Sequence, residues 1–263
     1  MQSNFHLAII LTTLAGLATL LGGFITFFIK KNSLKALSVG IAFSTGVMIF
    51  IALNELLHES QEYFEVAHET YAQHFAYACF FLGILLASLV DFLMPAHNEE
   101  HLILDEEDSN ENKQEIKRAG ILTAITISMH SIPESLATFF VASTNLALGI
   151  PMTIAIAIHN IPLGSAIAIP VFHATGKKRL AIFYSFLSSL VGPLSALFGW
   201  IFLKNFMNET IIGVLFGLVA GIMIYISLDT LFPLARKYGD NHQVITGIVA
   251  GMFFISISLL MLH

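Results

Sequence analysis

His130-Ser131-Ile132-Pro133-Glu134-Ser135 lies inside one long apolar run, and a near copy, His159-Asn160-Ile161-Pro162-Leu163-Gly164, lies inside the next, 29 residues later. Histidine, carboxylate and proline are each costly in hydrocarbon. Their pairing twice, in register, predicts a polar site at the centre of a helix bundle. On a helix, residues i and i+4 share a face. His130 and Glu134 therefore point the same way, one turn apart. That spacing suits an imidazole nitrogen and a carboxylate oxygen on one metal ion, each about 2 Å from it. Pro133 cannot donate to the carbonyl of Met129, nor Pro162 to that of Ile158. Each proline thus frees a backbone oxygen near the site and predicts a kinked helix. The minimal site is His130 and Glu134 from one span and His159 from the next, completed by water. Ser131 and Asn160 are neutral oxygen donors one residue on, suited to a weaker second position or to hydrating the ion. Imidazole and carboxylate suit Zn²⁺ and Fe²⁺, with Mn²⁺, Co²⁺ and Cd²⁺ as further candidates; the lack of thiolates argues against Cu⁺.

Working outward, the 263-residue chain is 56% hydrophobic and 11% charged, with a mean hydropathy of +0.79. Soluble domains carry about 25% charged residues. A soluble helical core would also need polar helix faces, which most of these runs lack. The reading is an all-α membrane protein, one polytopic domain over 1–263, with eight transmembrane helices. The spans are roughly 7–29, 36–57, 74–95, 119–142, 146–172, 180–203, 211–235 and 243–262. The first run lacks a basic leading segment and reads as a retained span. The single Cys79 rules out a disulfide framework or a cysteine metal site.

The basic residues fix the sidedness. Lys30, Lys31 and Lys35 lie between spans 1 and 2, and Lys113, Lys117 and Arg118 between 3 and 4. Lys177, Lys178 and Arg179 lie between 5 and 6, and Arg236 and Lys237 between 7 and 8. Of the 12 lysines and arginines only Lys204 falls on the other side. Those four loops are expected in the cytoplasm and both termini outside. The compact chain suits a bacterial inner membrane. The loop 96–118 is acidic and contains His97 and His101. It reads as a solvated cytoplasmic linker, or as a weak metal-collecting segment. The segment between spans 2 and 3 carries His58, Glu59, Glu62, Glu65, His68 and Glu69. It reads as an outer loop that attracts cations, or simply as a wet loop.

The two hexads resemble the paired H-N-x-P-E-G motifs of the ZIP family of divalent-metal transporters, and within it the ZupT- and GufA-like bacterial branch. Leu89-Val90-Asp91-Phe92-Leu93-Met94-Pro95 and Gly221-Ile222-Met223-Ile224-Tyr225-Ile226-Ser227-Leu228-Asp229 are similar to the family's third and seventh spans. The resemblance implies a ZIP-type bundle with a binuclear metal site between helices 4 and 5, bridged by two glutamates, and a homodimer. By position, His130, Glu134 and His159 correspond to one metal position, and Asn160 and Glu134 to part of the other. Three departures stand out. Leu163 takes the place of the second bridging glutamate, Gly192 that of a glutamate in span 6, and Ser131 that of an asparagine. They fall mainly on the second position, so one ion is expected to be held well and a second poorly.

The expected function is uptake of zinc, with iron or manganese as further candidates. Glu55, His58 and Glu59 would collect the ion outside, and Asp91 and Asp229 would serve as relay carboxylates. A metal sensor or non-transporting relative is the alternative that Leu163 and Gly192 favour. An intramembrane metalloenzyme is disfavoured, because neither His58-Glu59-Ser60-Gln61-Glu62 nor His68-Glu69-Thr70-Tyr71-Ala72 completes HExxH.

Overall fold

Each apolar run forms a helix because, in lipid, a single segment can satisfy its N–H and C=O groups only within itself. The computed structural model describes residues 4–25, 28, 34–93, 131–203 and 208–260, and their regular structure is all helical. Seven described helices are long and apolar enough to cross a membrane. They correspond to seven of the eight expected spans. The remaining span, 119–142, is described only from residue 131, and the loop 96–118 lies outside the described residues.

The helices fall into two groups. In the first, α1 (Phe5–Ile25) packs on α6 (Leu146–Thr175), α7 (Lys178–Ser189) and α8 (Val191–Phe198). Helix α5 (131–144) joins this group: Phe139 meets Phe5 and Trp200, with ring centroids 6.1 and 6.4 Å apart. A single non-helical residue, Asn145, separates α5 from α6, and its side-chain oxygen accepts from the Ala147 N–H at 3.0 Å as an N-cap. At the other end of α6, Gly176 adopts φ 64° and closes the helix on the Phe172 carbonyl at 2.7 Å.

The second group holds α2 (Leu34–Ile51), α3 (Leu57–His68), α4 (Ala72–Leu93), α9 (Glu209–Ile226), α10 (Phe232–Tyr238) and α11 (Asn241–Leu260). The groups meet chiefly where α2 lies along α6. The second group is internally repeated. Gly46-Val47-Met48-Ile49-Phe50-Ile51-Ala52-Leu53-Asn54 in α2 parallels Gly221-Ile222-Met223-Ile224-Tyr225-Ile226-Ser227-Leu228-Asp229 in α9. Both stretches run into a π-turn at the same register, Ala52–Leu56 and Ser227–Leu231. Their close approaches match too: Gly46 abuts the Ile248 backbone and Gly251 that of Phe43, while Gly221 abuts Phe80 and Gly83 abuts Leu218. One renumbering carries α2 onto α9 and another carries α4 onto α11, and together they turn the first pair of contacts into the second. Small residues at such crossings let backbones touch, which is how helices associate without a hydrophobic driving force.

One expectation is corrected. The segment carrying His58 to His68 is helix α3, not a loop. It stays helical because Phe64 and Ser60 are buried against α9, where the Ser60 hydroxyl donates to the Gly213 carbonyl at 2.7 Å. His58 and Glu62 also pair at i,i+4, 3.2 Å apart. Helix α6 runs unbroken through Pro151, Pro162 and Pro170. The sixth span, by contrast, divides at Leu190 into α7 and α8. Pro193 lacks the N–H that would bond the Ser189 carbonyl. Gly16 of α1 packs against that carbonyl, where a Cβ would come within 2.7 Å of it.

Candidate metal pathway

Glu134 is 1% exposed on α5, a carboxylate held inside the helix bundle. Asn160, on α6, is 5% exposed. Its amide nitrogen donates to the main-chain carbonyl of Ala15 at 3.0 Å. Because that carbonyl can only accept, the NH₂ must face α1. The side-chain oxygen then points elsewhere, buried and with no hydrogen-bond partner among the described residues. An amide oxygen left so costs about 1–3 kcal/mol, which a cation or water would recover.

Glu134 and Asn160 sit at one depth. Ser135, next to Glu134, has its hydroxyl 3.2 Å from where a Cβ on Gly192 would stand, and that position lies 3.5 Å from the Thr12 carbonyl and 3.6 Å from the Gly16 Cα. Asn160 holds Ala15. Both therefore meet α1 within one turn, at the middle of that helix. Ser131 is half-buried one turn before Ser135. His130 lies outside the described residues, as does the side chain of His159, which falls on α6 one turn before Leu163. Among the described residues no three His, Cys, Asp or Glu side chains form a metal cluster. Leu163 is 1% exposed within the main apolar core, so the face where the resemblance would put a second carboxylate is hydrocarbon.

Above this level, toward the end where α1 begins, a cavity of about 30 Å³ opens between the two helix groups. Glu55 and Glu59 line it from the second group, and Val141, Pro151, Met152 and Ala155 from the first, with Ile51 below Glu55. Met152 and Ala155 line the cavity from α6, and Leu163 follows Ala155 two turns on along the same helix face. Tyr63 stands on α3 one turn above Glu59, and its ring stacks on Phe216 of α9 with centroids 5.6 Å apart. No motif in the sequence points to that contact, since its partners are far apart in the chain. At the opposite end, the Tyr225 hydroxyl donates to Asp91 at 3.3 Å, and Asp229 lies nearby; both carboxylates are exposed.

Comparison with known proteins places this geometry in context. A profile of the ZIP zinc transporter family matches residues 94–259. Zinc transporter ZupT of Akkermansia muciniphila is 44% identical over 258 residues, 95% of this chain and 96% of that protein. The zinc transporters ZupT of Clostridium perfringens and Streptococcus mutans are each 41% identical, across 99% of this chain and 97% and 99% of theirs.

Proposed function

The chain belongs to the ZIP family of zinc transporters, and on that premise we propose that its ion passes between α5 and α6 through His130, Glu134 and His159, with Asn160 and Ser131 as neutral donors. It is a multi-pass membrane protein that takes up divalent metal, zinc in the first place, and it is not an enzyme. The observation that carries the site is the buried oxygen of Asn160, without a hydrogen-bond partner among the described residues, near the depth of Glu134. With Leu163 apolar and Gly192 without a side chain, Glu134 is the one carboxylate described at that depth, so one ion is held and a second weakly. A site with a single anionic ligand releases its ion readily, which conduction requires.

The end of the bundle holding Glu55 and Glu59 faces outward, and the end holding Lys35, Arg236 and Asp91 faces the cytoplasm, by the distribution of basic residues. The ion enters at the Glu55–Glu59 cavity, loses water at the central site, and leaves past Asp91 and Asp229. The two groups rock against each other along α2 and α6 to alternate access. The test is radiolabelled zinc uptake into proteoliposomes together with metal analysis of the purified protein. Wild type is expected to accumulate zinc, and His130→Ala and Glu134→Ala to lose both accumulation and bound metal. Binding without accumulation would instead identify a sensor, the reading that buried Leu163 favours.

A further inference from the structure

His58 and Glu62 stand one turn apart on α3, with the imidazole Nε2 3.2 Å from a carboxylate oxygen. They repeat the i,i+4 spacing of His130 and Glu134, at the outer end of the bundle rather than at its centre. Both side chains are exposed, 64% and 57%, so the pair meets water. An exposed pair of this kind adds little to stability. Its geometry is that of two ligands. Zinc takes an imidazole nitrogen and a carboxylate oxygen at about 2.0–2.2 Å in a tetrahedral shell. Two such bonds at the tetrahedral angle hold nitrogen and oxygen about 3.3–3.5 Å apart. The pair already stands close to that separation, so an ion can enter with a small shift of either side chain. It takes the place of the proton that the two groups share. Among the described residues no third His, Cys, Asp or Glu joins them in a metal cluster, so water completes the shell.

Helix α3 holds the pair in place. The Ser60 hydroxyl, between the two residues in the chain, donates to the Gly213 carbonyl of α9 at 2.7 Å, and Phe64 is buried. Glu59, the neighbour of His58, lines the cavity between the helix groups, and so does Glu55, one turn further in. Glu62, Glu59 and Glu55 therefore follow one another at intervals of three and four residues, a row of carboxylates from the exposed surface to the cavity. We infer that His58 and Glu62 form a two-ligand zinc site on the outer surface, completed by water, that loads the carboxylates of the cavity. With two protein ligands it gives the ion up readily, as a relay must. The inference rests on the reading of this cavity as the ion's entry.

The experiment follows diethylpyrocarbonate modification of His58 by mass spectrometry, on the full chain in lipid nanodiscs, with and without zinc. Saturating zinc is expected to slow the modification roughly tenfold, because the metal takes the one lone pair of the neutral imidazole. Glu62→Ala should lose that protection. Glu62→His should keep it, since a second imidazole at i,i+4 ligates zinc but cannot pair with His58 as a carboxylate does. No protection in wild type, or equal protection in Glu62→Ala, would overturn the site and leave a surface ion pair only. In proteoliposomes, His58→Ala is expected to raise the KM for zinc uptake roughly threefold to tenfold and to change kcat less, because the local ion concentration falls. An unchanged KM would overturn the loading role. Glu55→Gln tests the entry separately. Unaltered uptake with His58 still protected by zinc would remove the entry and leave the surface site standing.

Discussion

Gly22 and Gly164 face each other where α1 crosses α6: a Cβ on Gly22 would stand 3.0 Å from the Gly164 Cα and would overlap the Ile161 carbonyl, and one on Gly164 would overlap that of Thr19. The approach lets side-chain hydroxyls reach main chains. Ser165 donates to the Gly22 carbonyl at 2.9 Å and Ser185 to that of Gly164 at 3.0 Å. The same crossing brings Asn160 to Ala15.

Gly164→Val is expected to push α1 away and to cost about 1–3 kcal/mol in overpacking. Its effect on zinc binding should exceed that of an equally destabilising change in the other helix group, because the Asn160–Ala15 bond is strained with it. Thermal unfolding in detergent and zinc titration on the same sample check both.

Asn160→Ala should bind zinc roughly tenfold more weakly, the equivalent of about 1.4 kcal/mol, and should lose about 1 kcal/mol of stability with the bond to Ala15. Asn160→Asp places a carboxylate against the Ala15 carbonyl and loses the donor. The expected result is tighter zinc binding with a less stable metal-free protein, read by zinc titration and by unfolding with and without chelator.

Leu163→Glu puts a carboxylate into hydrocarbon and should cost several kcal/mol in metal-free protein. If the residue faces the ion, zinc returns much of that stability and metal per protein rises. Gly192→Glu must first displace the Ser135 hydroxyl, which stands 3.2 Å from the new Cβ. The pair together is expected to bind more metal than either alone. Metal analysis with no increase in stoichiometry would count against the assignment of Leu163 and Gly192 to a second position.

The hydroxyls of Ser38 and Ser60 each tie two helices of the second group, to the carbonyls of Ala235 and Gly213, both at 2.7 Å. Each alanine substitution should lower stability by about 0.6–1.7 kcal/mol. The losses should add, since the sites lie at opposite ends of the bundle. Zinc affinity should stay unchanged. A shift in affinity would mean that these ties reach the central site.

The spans could be read from hydropathy, and the repeat of Gly46 to Asn54 in Gly221 to Asp229 was there to be found. The two π-turns were not, because nothing in Ala52–Leu56 or Ser227–Leu231 differs in composition from α-helix. By its charges helix α3 reads as a solvated loop; its burial depends on Phe64 and Ser60 meeting a helix far along the chain. Glu134 and Asn160 stood out as polar groups in apolar runs. That the Asn160 amide is held by α1, and which of its two atoms stays available, depends on a neighbour that no local pattern names.

Sequence by itself determined that this chain crosses a membrane several times and carries polar hexads in two of its spans, because a backbone in hydrocarbon must bond to itself and leaves no other solution. Only the tertiary structure decided which helices touch. Spans apolar on every side have no inward stripe to betray their partners, so pairing falls to sites where small residues let backbones meet, as at Gly22 and Gly164. The cavity of Glu55 and Glu59 follows from that pairing.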